Sequence, residues 1–362
     1  MKKALLFWSA TALLLLILGA QLLSPVRDAS EMENRMLEKP PALTWDGIVS
    51  GDFMETAEKY AADQLPLRDG FVAVYALTRT AMGQRASENV IRSGDWLFDG
   101  ARDWNAEYVT LNARALHFLA EKTGKRVCLL AVPSSACVYF EKLPAYAPAA
   151  DEEALLDGIA EETELLPLLR ALISAKGETP LYYRTDHHWT AAGARIGYET
   201  ACAALGLTPL SSGEVSAYPG FYGSYYARDP LPFLTPDTLT VAFPDDVTLT
   251  INGEEKAALA DEAALAKRDK YAALLYGNQY PVIELTCDSA PEGELLVIRD
   301  SYANALLPAL CRHYRRIVAV DPRYYREDIT ALADQVKGDT VLCVYGLRTL
   351  AEGAYIYQLE GL

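Results

Sequence analysis

Two of the chain's four histidines stand together in Thr185-Asp186-His187-His188-Trp189-Thr190, directly after the apolar run Leu181-Tyr182-Tyr183. In extended backbone, residues two apart share a face and lie about 6.6 Å apart. Asp186 and His188 then point the same way, close enough for a carboxylate to orient an imidazole, and His187 points the other way. An oriented histidine activates a nucleophile. The best nucleophile is far downstream, in Leu295-Leu296-Val297-Ile298-Arg299-Asp300-Ser301-Tyr302. Reactive groups of open α/β sheets collect at the carboxyl ends of strands. N–H groups at the start of the following helix can stabilise an oxyanion there. Ser301 to attack, His188 to take the proton and Asp186 to fix the tautomer make a nucleophilic triad. Acid–histidine–serine order is one of several in which triads occur. Taken singly, each signal is ordinary: Ser301 can be a helix N-cap, and Asp-x-His a polar loop with a packing Trp189.

The elements that must position these residues read as follows. A helical pattern runs from Trp45 to Met82, interrupted at Pro66, and a short hairpin over Val90 to Leu97 turns at Gly94. A helix over Glu107 to Lys122 stops at Gly124, since a glycine there tolerates the left-handed cap. Val127 to Val132 is a continuous apolar run, the pattern of a strand buried on both faces of a parallel sheet. Residues 151–176 are helical with a bend at Pro167. Leu181 to Arg184 is a short strand that delivers the histidine loop, and Thr190 caps a helix over Ala191 to Leu205. Residues 206–290 change character and read as a β-rich insertion, with alternating stretches at Thr238 to Ala242 and Val247 to Ile251. Strand and helix then alternate: Leu295 to Ile298, Asn304 to Tyr314, Arg316 to Val320, Glu327 to Val336, Thr340 to Val344. This alternation predicts an α/β fold, a parallel sheet flanked by helices.

The bulk numbers bound the function. The 362 residues carry 33 basic and 49 acidic side chains, a net charge of −16, which argues against a nucleic-acid partner. Residues 4–23 hold no charge, follow Lys2 and Lys3, and are long enough to span a bilayer as a helix. Residues 1–26 are thus expected to be an uncleaved transmembrane anchor, with a cleaved signal peptide as the alternative. The positive flank keeps the N-terminus in the cytoplasm and puts the body outside the cell. Residues 27–45 read as a stalk, and residues 46–362 as the α/β body. Six cysteines sit mostly in apolar runs, none at metal-ligand spacing, and read as buried small hydrophobes.

Asp186-His187-His188-Trp189 resembles the signature of the DHHW protein family. That family is similar to the alginate O-acetyltransferase accessory proteins, members of the SGNH hydrolase-like group with a permuted Asp-x-His … Ser order. Glu33-Asn34-Arg35, Asp63-Gln64-Leu65-Pro66-Leu67-Arg68-Asp69, Ala131-Val132-Pro133-Ser134-Ser135, Phe221-Tyr222-Gly223-Ser224, Asp269-Lys270-Tyr271, Gly277-Asn278, Arg299-Asp300-Ser301-Tyr302-Ala303-Asn304 and Asp321-Pro322-Arg323 fit it as well. The resemblance implies that Asp186, His188 and Ser301 are the triad of an O-acetyltransferase or acetylesterase. The substrate would be a cell-envelope or exported polysaccharide. A transferase would take acetyl from a separate membrane protein, because one spanning helix cannot carry a donor across. No cofactor or metal is implied. Arg299 stands where many SGNH enzymes have glycine. For the oxyanion or substrate the candidates are Tyr345, Arg323, Asn304, Asn278 and Tyr302; Asn278 is equally a turn residue, and Asn304 a helix cap. Among 22 tyrosines, the cluster Tyr222, Tyr225 and Tyr226 is the candidate glycan contact. Two other readings stand beside this one. Asp-His-His also resembles the manganese-dependent DHH phosphoesterases, for which His117 and His313 would have to supply further ligands. A degenerate hydrolase fold could instead serve as a surface-anchored glycan-binding or assembly protein.

Overall fold

The structure is a computed structural model and describes residues 2–359. Two compact units divide the chain, one of residues up to Gln84 together with Ala227–Leu234, the other of Arg85–Tyr226 and Thr235–Leu362. Residues 46–84, read from sequence with the α/β body, thus cluster with the N-terminal unit.

The first unit is helical. Helix α1, Lys2–Leu23, contains the apolar window Ala4–Gln21, with mean hydropathy 1.9, long and apolar enough to cross a membrane. A short helix, Trp45–Ser50, precedes α2, Asp52–Asp63, and α3, Arg68–Ala81. The break around Pro66 falls where expected, with Leu67 in the left-handed region at φ 60°. The polar residues flanking that break hold the unit together. Arg35 forks onto both oxygens of Asp63 at 2.8 and 2.5 Å, and Arg68 pairs with Glu33. The Arg35 hydrogen bonds hold the Asp63 carboxyl below its usual range.

The second unit is built on one eight-stranded sheet. Its strands are β1 Arg126–Val132, β2 Glu164–Leu165, β3 Thr248–Ile251, β4 Glu254–Glu255, β5 Val282–Thr286, β6 Glu294–Arg299, β7 Arg316–Val320 and β8 Thr340–Gly346. The order across the sheet is β4-β3-β5-β7-β6-β8-β1-β2. From β7 to β2 the strands are parallel, in register Leu296↔Val318, Ile298↔Cys343 and Leu342↔Cys128. The continuous apolar runs have the cause read from sequence. Cys128, Leu130 and Val132 of β1 enter one core, while Val127, Leu129 and Ala131 enter the other. Helices α4 Ala106–Thr123 and α5 Glu152–Glu162 cover the second face, and α6 Ala191–Leu205 covers the first. All six cysteines are free thiols, five of them buried.

Several elements differ from the sequence reading. Parts of 206–290 do not stand apart: β3 and β5 join the main sheet as antiparallel strands, Leu249↔Leu285 and Glu284↔Val318. The remaining strands of that stretch, Ser216–Phe221 and Asp237–Val241, make a separate hairpin. Pro167 does not bend a helix; α5 ends at Glu162 and Pro167 starts a new one, Leu168–Ser174. Pro167 is the N-cap of that helix, where its missing N–H removes no intrahelical bond. The expected helix after Ser301 is a 3₁₀ turn, Ser301–Ala305, followed by Leu307–Cys311. The histidine loop is not fed by a strand either, as described next.

Candidate active site

Residues 181–190 fold back on themselves. Tyr182 and Trp189 form an isolated antiparallel bridge, Tyr183 N–H donates to His188 O at 3.2 Å, and Thr190 N–H donates to Leu181 O at 2.9 Å. Inside this loop Asp186 makes an Asx-type turn, a carboxylate capping the N–H two residues on. Asp186 Oδ1 accepts from His188 N–H at 2.9 Å and from His188 Nδ1 at 2.5 Å. The expected pairing is present, but by a turn rather than by strand alternation. For the same reason His187 does not point away. Its ring lies 3.7 Å from that of His188, and its Nδ1 bonds Ser224 Oγ at 2.7 Å.

The loop is held from several sides. Asp237 accepts from Thr185 N–H and Oγ1 at 2.9 and 2.7 Å, and Arg184 pairs with Asp237 and Asp95. Asp186 Oδ2 takes the Ser224 N–H at 2.7 Å, the first residue of a short helix. A Cβ on Gly223 would stand 2.2 Å from both Cβ and Oδ2 of Asp186, so only glycine lets this backbone approach the carboxylate. On the other side Trp189 is wholly buried against α6, where a Cβ on Gly197 would meet its ring at 2.7 Å.

Ser301 lies just past the carboxyl end of β6, in the middle of the sheet. Asp300 shapes its turn: Oδ1 accepts the Tyr302 N–H at 2.9 Å, and Oδ2 accepts from Gly346 N–H and Thr349 Oγ1, both at 2.8 Å. Three contacts tie this turn to the histidine loop. Trp189 Nε1 donates to Tyr302 O at 3.1 Å, and Tyr302 Oη donates to His187 O at 2.6 Å. Tyr271 stacks on the His188 ring at 3.6 Å and 8°, while its hydroxyl reaches Ser301 O at 3.4 Å. The fold thus brings Asp186, His188 and Ser301 to one rim of the sheet. His188 Nε2 is buried and makes no hydrogen bond, so the bond between it and Ser301 is not formed here. Such bonds are often loose before substrate enters.

Burial and the neighbouring His187 push the His188 imidazole down to about 4, against the opposing pull of Asp186. The imidazole is therefore neutral at pH 7, with Nδ1–H donating to Asp186 and Nε2 free to accept. Burial opposes ionisation of Asp186, but the two imidazoles beside it hold its carboxyl well below the usual range. Asp186, His187 and His188 present atoms within 4.8 Å of one another, the spacing of a metal site. Yet Asp186 Oδ1, Asp186 Oδ2, His187 Nδ1 and His188 Nδ1 are all engaged in the bonds above. These bonds are those of an acid–imidazole relay, with His188 Nε2 left as the unpartnered ring nitrogen.

The remaining candidates divide. Asn304 gives its amide hydrogens to Leu274 O at 3.2 Å and Asn278 Oδ1 at 3.0 Å, and Arg299 Nη1 bonds both asparagine oxygens at 3.1 Å. These two asparagines pin a buried guanidinium rather than face the His188 ring. Arg299 is wholly buried, and Ser301 beyond it is 7% exposed. Tyr345 packs on the opposite face of the sheet, with the α4 layer, and its buried hydroxyl has no hydrogen-bond partner. Tyr302 spends its hydroxyl on His187 O. Arg323 is forked onto Asp321 at 2.9 and 2.7 Å, and its charge acts on both Asp300 and His188. It is the one cation among these candidates, and it is paired with the buried Asp321. The tyrosine cluster expected to face a glycan is largely internal: Tyr225, 6.2 Å from the His187 ring, and Tyr226 are buried, and only Tyr222, tilted against Tyr226, is partly exposed.

Comparison with known proteins reaches the same segments. The family model described as DHHW protein matches residues 168–320, and that described as SGNH hydrolase-like domain, acetyltransferase AlgX, matches residues 93–219. The chain is DHHW-like. It is 24% identical over 185 residues to the probable alginate O-acetylase AlgJ of Pseudomonas putida, spanning about half the length of that relative, 48%. A DHHW family protein from Eubacterium siraeum has the same fold, with TM-score 0.61 and 19% identity over 76% of this chain and 98% of that one. PatB1 of Bacillus cereus does too, with TM-score 0.61 and 20% identity over 74% of this chain and 98% of that one. This DHHW-like chain therefore has an SGNH-like α/β fold.

Four residues of the DHHW-like site carried no assigned role in the sequence reading. Asp300 was legible, since an aspartate before a turn commonly caps it. Gly223 and Ser224 were legible only as a Gly-Ser turn. Tyr271 gave no local signal, because its contact with His188 exists only after the chain folds.

Proposed function

We propose that this chain is a membrane-anchored, extracytoplasmic SGNH-like enzyme, an O-acetyltransferase or acetylesterase acting on a cell-envelope or exported polysaccharide. The observation that carries the reading is the buried Asp186–His188 pair, with a free ring nitrogen, tied by Trp189 and Tyr302 to the turn bearing Ser301. Ser301 Oγ attacks the acetyl carbonyl, and His188 Nε2 takes its proton. The Nδ1 proton stays on the ring, donated to Asp186, whose carboxylate stabilises the imidazolium. The same proton then goes to the departing alkoxide, leaving an acetyl ester on Ser301. A glycan hydroxyl, or water in an esterase, attacks that ester and restores the serine. Arg323 opposes the negative charge that develops in each step, a role supported by the effect of its charge on His188 and Asp300. Of the three clustered tyrosines Tyr222 is the proposed glycan contact, because Tyr225 and Tyr226 are buried.

Residues 1–26 act as the anchor, residues 27–45 as the stalk, and a separate membrane protein supplies acetyl if the enzyme is a transferase. The apolar window Ala4–Gln21 supports the anchor, as does likeness to an alginate O-acetylase for the substrate class. To separate the two chemistries, the purified chain is given 4-nitrophenyl acetate with and without polysaccharide. Acetyl appearing on the glycan marks a transferase; free acetate alone marks an esterase. Saturable glycan binding unaffected by Ser301→Ala, with no ester turnover, would instead favour a binding protein on a degenerate fold.

A further inference from the structure

Helix α3 is turned inside out. Arg68 pairs with Glu33, and Arg79 pairs with Asp229 at 2.7 Å, so both cations face the interior of their unit. Beside them runs a stripe of Leu67, Phe71, Val74, Tyr75 and Met82 at helical spacing, 84%, 52%, 60%, 64% and 73% exposed, with the Arg79 guanidinium over the Tyr75 ring at 4.8 Å. Thr78 is the polar residue within that stripe, and Arg79, paired with Asp229, borders it. A soluble surface rarely shows a contiguous apolar stripe without a partner for it. Two observations indicate what covers it. The membrane-length helix α1 belongs to the same compact unit, and its Gln21 side chain donates to Ala61 O of α2 at 2.9 Å. That bond fixes the helix just before α3 at the point where the chain leaves the proposed span.

We propose that α3 lies in the outer face of the bilayer, its Leu67–Met82 stripe dipped among the acyl chains beside the span. This rests on the membrane-anchor reading and adds to it a second, interfacial contact. An amphipathic helix in this position buries its apolar face to roughly 5–10 Å depth. The tether holds α3 near the surface, so the helix needs no affinity of its own to find it. Because the exposed side chains of the stripe are apolar, and the one cation bordering it, Arg79, is paired with Asp229, the contact is apolar rather than electrostatic and depends little on anionic lipid or salt.

The full chain is reconstituted into phosphatidylcholine vesicles, and in a second set into phosphatidylcholine with phosphatidylglycerol. A benzophenone amino acid replaces Phe71 or Val74 and, as a control, Glu58 on the exposed side of α2. These side chains are exposed, and unchanged melting of each variant checks the fold. On illumination, phospholipid adducts at 71 and 74, none at 58, and the same yield in both vesicle types support the inference. Adducts to a second copy of the chain, or none at 71 and 74 while the chain floats with the vesicles, would overturn it and leave the anchor standing. A chain that does not float at all would overturn the anchor reading, and this inference with it.

Discussion

A neutral His188 sets the pH behaviour expected of this site. Its imidazole is pushed down to about 4 by burial, below the free value of about 6.5. Turnover requires the neutral ring, so kcat/KM should fall on the acid side only well below pH 6.5. An acid limb at or above 6.5 would mean that the ring is solvated in the working enzyme. The sign for stability is the same. A depressed pKa means that the unfolded chain binds the proton more readily, so this stabilisation is complete above 6.5 and is lost as pH falls through about 4. Gly223 gives a second expectation at this scale. Gly223→Ala places a methyl against Asp186, so the carboxylate must shift and the imidazole with it. A misplacement near 1 Å costs about a hundredfold in rate. The check is kcat with a melting curve: a rate loss without unfolding is expected, and an unchanged rate would show that the carboxylate does not set the ring.

Between elements, the histidine loop and the serine turn are joined by the buried side chains of Trp189, Tyr271 and Tyr302. Trp189→Phe keeps most of the buried ring but leaves Tyr302 O without its donor. The expected cost is about 3 kcal/mol of stability from the lost bond and void, with kcat falling more than KM rises. Chemical denaturation and steady-state kinetics measure both. The same scale explains what the sequence could reveal. β1, β6, β7 and β8 were legible because a strand buried on both faces is apolar at every position. Helix α6 was legible because Thr190 caps it and Gly206 ends it, at φ 70°. Leu181 to Arg184 misled because the same apolar run serves a buried loop, and the Asp186 turn rather than alternation set the side chains. β3 and β5 show the right alternation, but which sheet a half-buried strand joins depends on long-range pairing. Asn278 and Asn304 misled for a similar reason: only the fold reveals that Arg299 needs their oxygens.

Over the whole molecule, one buried acid outside the proposed triad should govern stability near neutral pH. Glu152, at the start of α5, accepts from Ser134 N–H at 2.8 Å and from Ser134 Oγ, and burial raises its carboxyl to about 7. A raised pKa means that the folded state binds the proton more tightly. The stabilisation is therefore complete below about 4.5 and lost as pH rises through 7. A shift of this size corresponds to about 3 kcal/mol. Denaturant midpoints of the full chain should drop between pH 6 and pH 8, and Glu152→Gln should remove that drop. An equal drop in the variant would assign the dependence elsewhere. The central matter for the molecule is whether Ser301 carries the acyl group. The direct measurement is the mass of the full chain, rapidly quenched during turnover of 4-nitrophenyl acetate, with the acetylated peptide sequenced. Expected is one acetyl group on Ser301 in the wild type, with neither adduct nor turnover in Ser301→Ala. Equal turnover in that variant, or acetyl found on another residue, would contradict the triad.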